Sequence, residues 1–360
     1  MQTFHHERLF EFIKEVFLQK KLNTEDAEQA ASVLIASDLR GIDSHGIARL
    51  SGYLRLIDNG RINPRPRVQI KKEFMSTCTL DGDAGLGLIV GPKAMKIAIE
   101  KAQTSGSGFV SVMNSSHFGI AAYHSLLASS KDMIGWSMTN ASPLVTPTFG
   151  KESMLGTNPI CYAFPSSKEP IVIDMATSTV ANGKLQIAQR LEKTIPTGWA
   201  QDEQGRETTD SHILEENGQL LPLGSTFQMG SHKGYGLSAA VDLFSGVLSG
   251  ANFGPWVPPF VAFKEPLKNP PGKGIGHFFG AFRIDGFSEK ETYFSNVDLW
   301  IQRFKKTKAI NPNQPVLIPG EPEFVMSKKR TKKGIPINQK VLDDLVDIAK
   351  KLGIPSQEYL

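Results

Sequence analysis

From about residue 76 onward, short β-type runs alternate with helical stretches, and that alternation limits the possible folds more than any other feature. "TCTLDG", "GFVSVM", "MIGWSMT", "ICYAF" and "PIVIDM" are compact, apolar and bounded by turn residues. Between them, "GPKAMKIAIEKAQTSG" places Pro92 at a helix start and Gly106 near its end, and "IAAYHSLLASS" reads as another helix. A chain punctuated in this way folds as an α/β body.

The first 60 residues have a different texture. Leu9, Phe10, Ile13, Val16 and Phe17 recur at helix spacing. Asn23 or Thr24 can cap a second helix, whose apolar face is Ala27, Ala30, Ala31, Leu34 and Ile35. Gly41 ends it, and Asp43 or Ser44 is placed to cap a third helix running to about Asn59. Pro64 and Pro66 forbid helix in "NGRINPRPR". Further on, residues 234–250 and the tail "VLDDLVDIAKKLG" predict helices, while the Gly- and Pro-rich 251–275 predicts an ordered loop. The expected division is a helical, substrate-contacting unit, residues 1–75 with about 305–360, and an α/β unit over 76–304. A length of 360 residues suits two domains.

Composition removes several classes. Hydrophobic and charged residues make up 40% and 21%, as in ordinary globular proteins, and a net charge of +4 is too mild for a nucleic-acid binder. The basic run "SKKRTKKG", 327–334, reads as a solvated surface segment. Cys78 and Cys161 are isolated, which argues against a disulfide scaffold and for a reducing compartment. The N-terminus carries acids where a signal peptide would be apolar, and no apolar run reaches about 18 residues. The expectation is a cytoplasmic protein with neither membrane nor nucleic acid as partner.

"DGDAGLGLIVGPKA" tempts a dinucleotide-binding reading and fails it. A Rossmann turn needs G-x-G-x-x-G, with an acid ending the next strand. Here the gap between Gly87 and Gly91 is one residue too long, and the next strand ends in Asn114 and Ser115. Metal chemistry is equally poorly served: there is no H-x-x-x-H or H-x-H pair, and the expected metal content is none. A G-x-S-x-G serine elbow is also missing.

Four clusters can do chemistry. In "RGIDSHGIARL", His45, Arg49 and Tyr53 are spaced i, i+4, i+8, so a third helix would put them on one side, with Ser44 beside them. A helix start and a guanidinium fork suit a small carboxylate; a capped helix with a surface Arg explains the spacing equally well. In "NSSHFGIAAYH", His117 follows a strand and is surrounded by small residues, where a near-neutral imidazole can shuttle a proton. His124 reads as structural. In "PIVIDMATSTVANGK", Asp174 could bond a ribose hydroxyl, and Thr177, Ser178, Thr179 and Lys184 could hold a phosphate or merely cap a helix. His232 and Lys233 in "GSHKGYGL" offer a cation to a cofactor phosphate or to water.

Taken together, "SDLRGIDSHGIARL", "NSSHFGIAAY", "MTNASPLVTPTFG", "LGTNPICYAFP", "VIDMATSTVANGK" and "GSHKGYGLSAAVDL" resemble the type 2 malate/L-lactate dehydrogenase family, which is unrelated to the Rossmann dehydrogenases. The resemblance implies a non-Rossmann three-layer α/β/α fold with a mixed sheet, and an active site completed across a homodimer. It also implies hydride transfer between NAD, or NADP, and C2 of a small 2-hydroxy or 2-oxo acid, malate first. Other members act on lactate, sulfolactate, ureidoglycolate, keto sugar acids or a cyclic imine. His117 would be the acid/base, with His45 holding the reacting oxygen. Ser44, Arg49 and Tyr53 would contact substrate, and Asn140, Asp174, Met175, Ala176, His232 and Lys233 the cofactor. A non-catalytic nucleotide- or carboxylate-binding module is the alternative from another class.

Overall fold

The computed structural model describes residues 2–360. Helix α1 (His6–Gln19) buries Leu9, Phe12, Ile13, Val16 and Phe17 as one stripe at helical spacing. Helix α2 (Thr24–Leu39) starts where Asn23 accepts a hydrogen bond from the Asp26 amide at 2.9 Å, and it stops before Gly41, whose φ is +80°. At the other end of the chain, α10 (Gln339–Leu352) returns to the same place. Strand β1 (Gln2–Phe4) pairs antiparallel with β12 (Ile335–Ile337), and Phe4, Phe12, Leu34, Ile335 and Leu345 join one apolar cluster. Helix α3 (Leu50–Asp58) contributes Leu50, Tyr53 and Leu54 to it.

The second body is a seven-stranded mixed sheet. It contains β2 (Gln69–Glu73), β3 (Thr77–Gly85), β4 (Ser107–Ser115), β5 (Met133–Thr139), β6 (Ile160–Phe164), β7 (Ile171–Met175) and β11 (Ile275–Arg283). The spatial order is β2-β3-β4-β11-β5-β6-β7, and only β3 and β4 run parallel. Helices α4 (Gly87–Ser105) and α5 (Ala121–Ser129) cover one face; α7 (Ser231–Asp242) and the π-turn Leu243–Val247 cover the other. Strand β11 shows why both faces must be covered. Phe279 and Ala281 enter the cluster under α4 and α5, whereas Phe278 points the opposite way, to Met138 and Val241. The mixed, non-Rossmann α/β architecture expected from the sequence is the one that forms.

Several local expectations change. The central strand β11 follows directly on the Gly- and Pro-rich loop, and its nearly unbroken apolar run shows no alternation because both of its faces are buried. Helix α4 begins at Gly87, so Pro92 lies inside it. The basic run forms the last turns of α9 (Glu321–Lys333), where cations meet the negative helix end. Arg330 within that run is buried, not solvated. A third apolar cluster, Leu144, Leu185, Ile195 and Leu220 among others, joins α6 (Asn182–Arg190) to a small sheet of β8 (Ala200–Gln201), β9 (Glu207–Thr208) and β10 (Gln219–Leu220). Helix α8 (Lys290–Lys305) buries none of its residues. Among the described residues, no helix is long and apolar enough to cross a membrane.

Because Phe279 is fully buried in the middle strand, Phe279→Ala should cost about 3–5 kcal/mol of stability. Urea unfolding followed by far-UV circular dichroism measures this, and a midpoint unchanged from wild type would contradict the packing described.

Candidate active site

The third helix does not start where spacing placed it. Residues 43–46 form a turn, Ile47–Arg49 a short 3-10 segment, and α3 begins only at Leu50. The cause lies one helix earlier. The Asp38 carboxylate, 1% exposed, accepts the Ile47 amide at 2.8 Å, and Gly46 adopts a non-helical backbone to let it in. A Cβ at Gly46 would fall 1.9 Å from the Asp38 carboxylate, so glycine is required there. His45 therefore sits in a turn and not on a helix start, which removes the anion site expected from the helix dipole.

The turn nevertheless gathers its polar side chains. Ser44 Oγ lies 2.9 Å from His45 Nδ1, and Arg49 Nε donates to the Ser44 carbonyl at 2.5 Å. Among the described residues, the two terminal nitrogens of Arg49 have no partner, which leaves its fork free. Gly183, near the start of α6, presses on this turn; a Cβ there would be 2.5 Å from Ser44 Cβ.

His117 enters from the sheet, two residues beyond β4. Its ring stacks on His45 with centroids 5.6 Å apart and meets Phe260 in a tilted contact at 4.7 Å. Nδ1 lies 2.6 Å from the Tyr53 hydroxyl and 3.3 Å from the Gly119 amide. An amide can only donate, so Nδ1 is an acceptor, and the neutral tautomer carries its hydrogen on Nε2. Tyr53 is fully buried, and its hydroxyl bonds His117. Burial, with Arg49 adding, lowers the His45 pKa to about 3; burial, then His45 and Arg49, lowers that of His117 well below 6.5. Both imidazoles are neutral at neutral pH.

The residues matched to cofactor contacts fare unevenly. Asn140 is 1% exposed and fully engaged: its amide donates to Asp242 Oδ1 and the Asn252 carbonyl, and its oxygen accepts the Gly276 amide. That cross-link uses both amide hydrogens and one lone pair of the oxygen. Thr177, Ser178 and Thr179 donate to the backbone carbonyls of Asn158, Val180 and Pro222, so they cap local structure and do not cradle a phosphate. Asp174 Oδ2 accepts the Ala122 amide at the start of α5, and the carboxyl pKa is raised to about 6, chiefly by burial. Asp174 also lines a cavity of about 360 Å³ with Arg40, Gly320 and Glu323. Arg40 Nε is buried there without a hydrogen-bond partner. Met175 and Ala176 follow it half-buried, while His232 and Lys233 are exposed on the first turn of α7.

Residues 4–346 match the model of the malate/L-lactate dehydrogenase family. The chain belongs to that family. Its relatives in the family include a malate dehydrogenase of Pyrococcus abyssi, 43% identical over 98% of this chain and 95% of the relative. An L-sulfolactate dehydrogenase of Methanocaldococcus jannaschii is 39% identical over 93% of each. Among solved structures, a malate dehydrogenase from Entamoeba histolytica superposes with a TM-score of 0.91 at 34% identity, covering 98% of this chain and 99% of that one.

Sequence reasoning missed four residues around this family's histidine motif. Phe260 and His277 sit 143 and 160 positions from His117; only the fold brings them near. His277, fully buried, bonds Thr139 Oγ1 at 2.7 Å and Ser115 Oγ at 2.8 Å beneath the His117 loop. Asp38 and Arg330 clamp the Ser44–His45 turn, since Arg330 donates to the Asp38 carbonyl and to the Asp43 carboxylate. One signal was legible: Asp38 stands in an otherwise small and apolar helix segment, where a carboxylate needs a reason.

Burial raises the Asp38 pKa from 3.8 to about 8. Between those values the native chain keeps a proton that the unfolded chain releases, so stability falls as pH rises through the window. Asp38→Asn, which keeps an acceptor for Ile47, should gain on wild type as pH goes from about 4 to about 8. Urea midpoints across that range check it, and parallel curves would contradict the buried-acid assignment.

Proposed function

We propose that this protein is a nicotinamide-dependent dehydrogenase that interconverts malate and oxaloacetate in the cytoplasm. The observation that carries the reading is His117: its Nδ1 is held by Tyr53 and Gly119, leaving Nε2 to face a reacting oxygen. Arg49, with its fork unspent, takes the C1 carboxylate bidentately, and Ser44 and His45 orient the oxygen on C2. In reduction, the imidazolium formed once the anionic substrate is bound gives its Nε2 proton to the C2 oxygen and returns to the neutral ring. In oxidation the ring takes its other neutral tautomer: the long Gly119 contact is given up, the tyrosine hydroxyl accepts from Nδ1–H, and the Nε2 lone pair takes the C2 hydroxyl proton. An anionic substrate acts on the His117 pKa in the opposite sense to Arg49, so binding primes the imidazole for protonation.

The residues suit a dinucleotide held without a glycine loop. Arg40 brings an unpartnered buried donor, and Asp174 keeps one oxygen clear of its bond to Ala122. The carboxylates of Asp174 and Glu323 in one cavity would repel a 2′-phosphate, which favours NAD over NADP. The cofactor, when bound, supplies the hydride acceptor or donor; the protein supplies position and proton. Two buried free thiols suit a reducing cytoplasm.

A homodimer is supported by the outer face of α7 and its π-turn. Tyr235, Leu237, Leu243, Phe244, Val247 and Leu248 there are 37–58% exposed, a patch that water does not favour. The helical division of residues 1–75 with about 305–360 would then carry Ser44, His45 and Arg49, and residues 76–304 would carry His117, with both divisions contributing to the cofactor cavity.

His117→Ala should lower kcat for oxaloacetate reduction by about 10²–10⁴-fold. Quenching of NADH fluorescence on binding should persist. An unchanged kcat would remove His117 from the acid/base role.

A further inference from the structure

His117 opens on its free side into a cavity of about 400 Å³ roofed by the 251–275 loop. The floor is Asn114, Ser115, Ser116 and His117, at the end of β4, and the roof is largely proline and Phe260. Two cations reach this space, Arg61 from beyond α3 and Lys273 from the loop, and no Asp or Glu lines it. Arg61 uses one terminal nitrogen on the Pro259 carbonyl at 2.8 Å. Among the described residues, neither Arg61 nor Lys273 has a carboxylate within 4.0 Å, although Glu265 lies near enough to act on the Arg61 charge. Desolvation and the like charge of Arg55 weigh on Arg61 and lower its pKa. An unpaired guanidinium in a proline-walled space is costly unless an anion joins it.

We infer that Arg61 and Lys273 form a subsite for a second acidic group on the substrate, so that a four-carbon 2-oxo diacid spans His117. This rests on the dehydrogenase reading and adds to it. Arg49 is near enough to act on the His117 charge but does not line the cavity, so on this proposal the two guanidiniums engage opposite ends of one molecule. The planar fork of Arg61 matches a carboxylate better than a tetrahedral sulfonate. A methyl in place of the distal acid would leave both cations unpaired, and it is this difference that selects the diacid.

The test compares kcat/KM for oxaloacetate with that for pyruvate, using NADH and the full-length enzyme. Wild type should favour oxaloacetate by more than about tenfold, the order expected of one charge-assisted hydrogen bond. Arg61→Gln keeps a donor for the Pro259 carbonyl, and it should cut that ratio by at least about tenfold. Lys273→Met, which touches no anchor of the loop, should cut it by about threefold. A ratio unchanged in both variants, or no wild-type preference, overturns the subsite while leaving the dehydrogenase reading intact. Sulfopyruvate turned over tenfold better than oxaloacetate overturns the choice of carboxylate. No turnover of any 2-oxo acid by wild type overturns the dehydrogenase reading itself.

Discussion

A hydrogen bond of 2.6 Å between the Tyr53 hydroxyl and His117 Nδ1 joins the helical cluster to the sheet at the proposed active site. Tyr53 belongs to the apolar cluster that the chain's two ends build together; His117 belongs to the loop leaving a strand of the sheet. The contact aims the ring and closes one side of it. Phe260 closes a second side and His45 a third. What remains is one nitrogen, in surroundings dry enough to keep the ring uncharged.

The cost of that arrangement is visible in its supports. Asp38 is a carboxyl group in a fully enclosed place, and Arg330 reaches from α9, near the other end of the chain, to hold the same turn. Removing one partner of such a cluster leaves an unmatched polar group, and so the parts are interdependent. His277 does similar work from the central strand, with both ring nitrogens committed to hydroxyls. The site is thus rigid because several buried polar groups have only one satisfactory arrangement.

Much of this was legible in the residues themselves. Periodicity found α1, α2 and α10, the compact β runs found five strands, and the failed glycine test excluded a Rossmann turn. Strand β11 escaped because a strand buried on both faces has no alternation to read, and "IGHFFGAFR" follows a loop without a break. The start of α3 was misjudged because helix spacing cannot see a carboxylate nine residues away taking the Ile47 amide. The cross-link made by Asn140 could not be read locally because its partners, Asp242, Asn252 and Gly276, are more than a hundred residues distant. Local chemistry is written locally, whereas satisfaction of a buried polar group depends on the whole fold.

The central claim is that a desolvated, uncharged His117 takes the proton from the substrate hydroxyl. The most direct measurement is the pH dependence of kcat/KM for malate oxidation, which reports the free enzyme's essential base. Activity should hold steady through neutral pH and fall only in an acid limb whose midpoint lies well below 6.5, the ordinary histidine value. A midpoint at or above that value would mean that the base is solvated or is another group, and the geometry described around His117 would not be the one that catalyses.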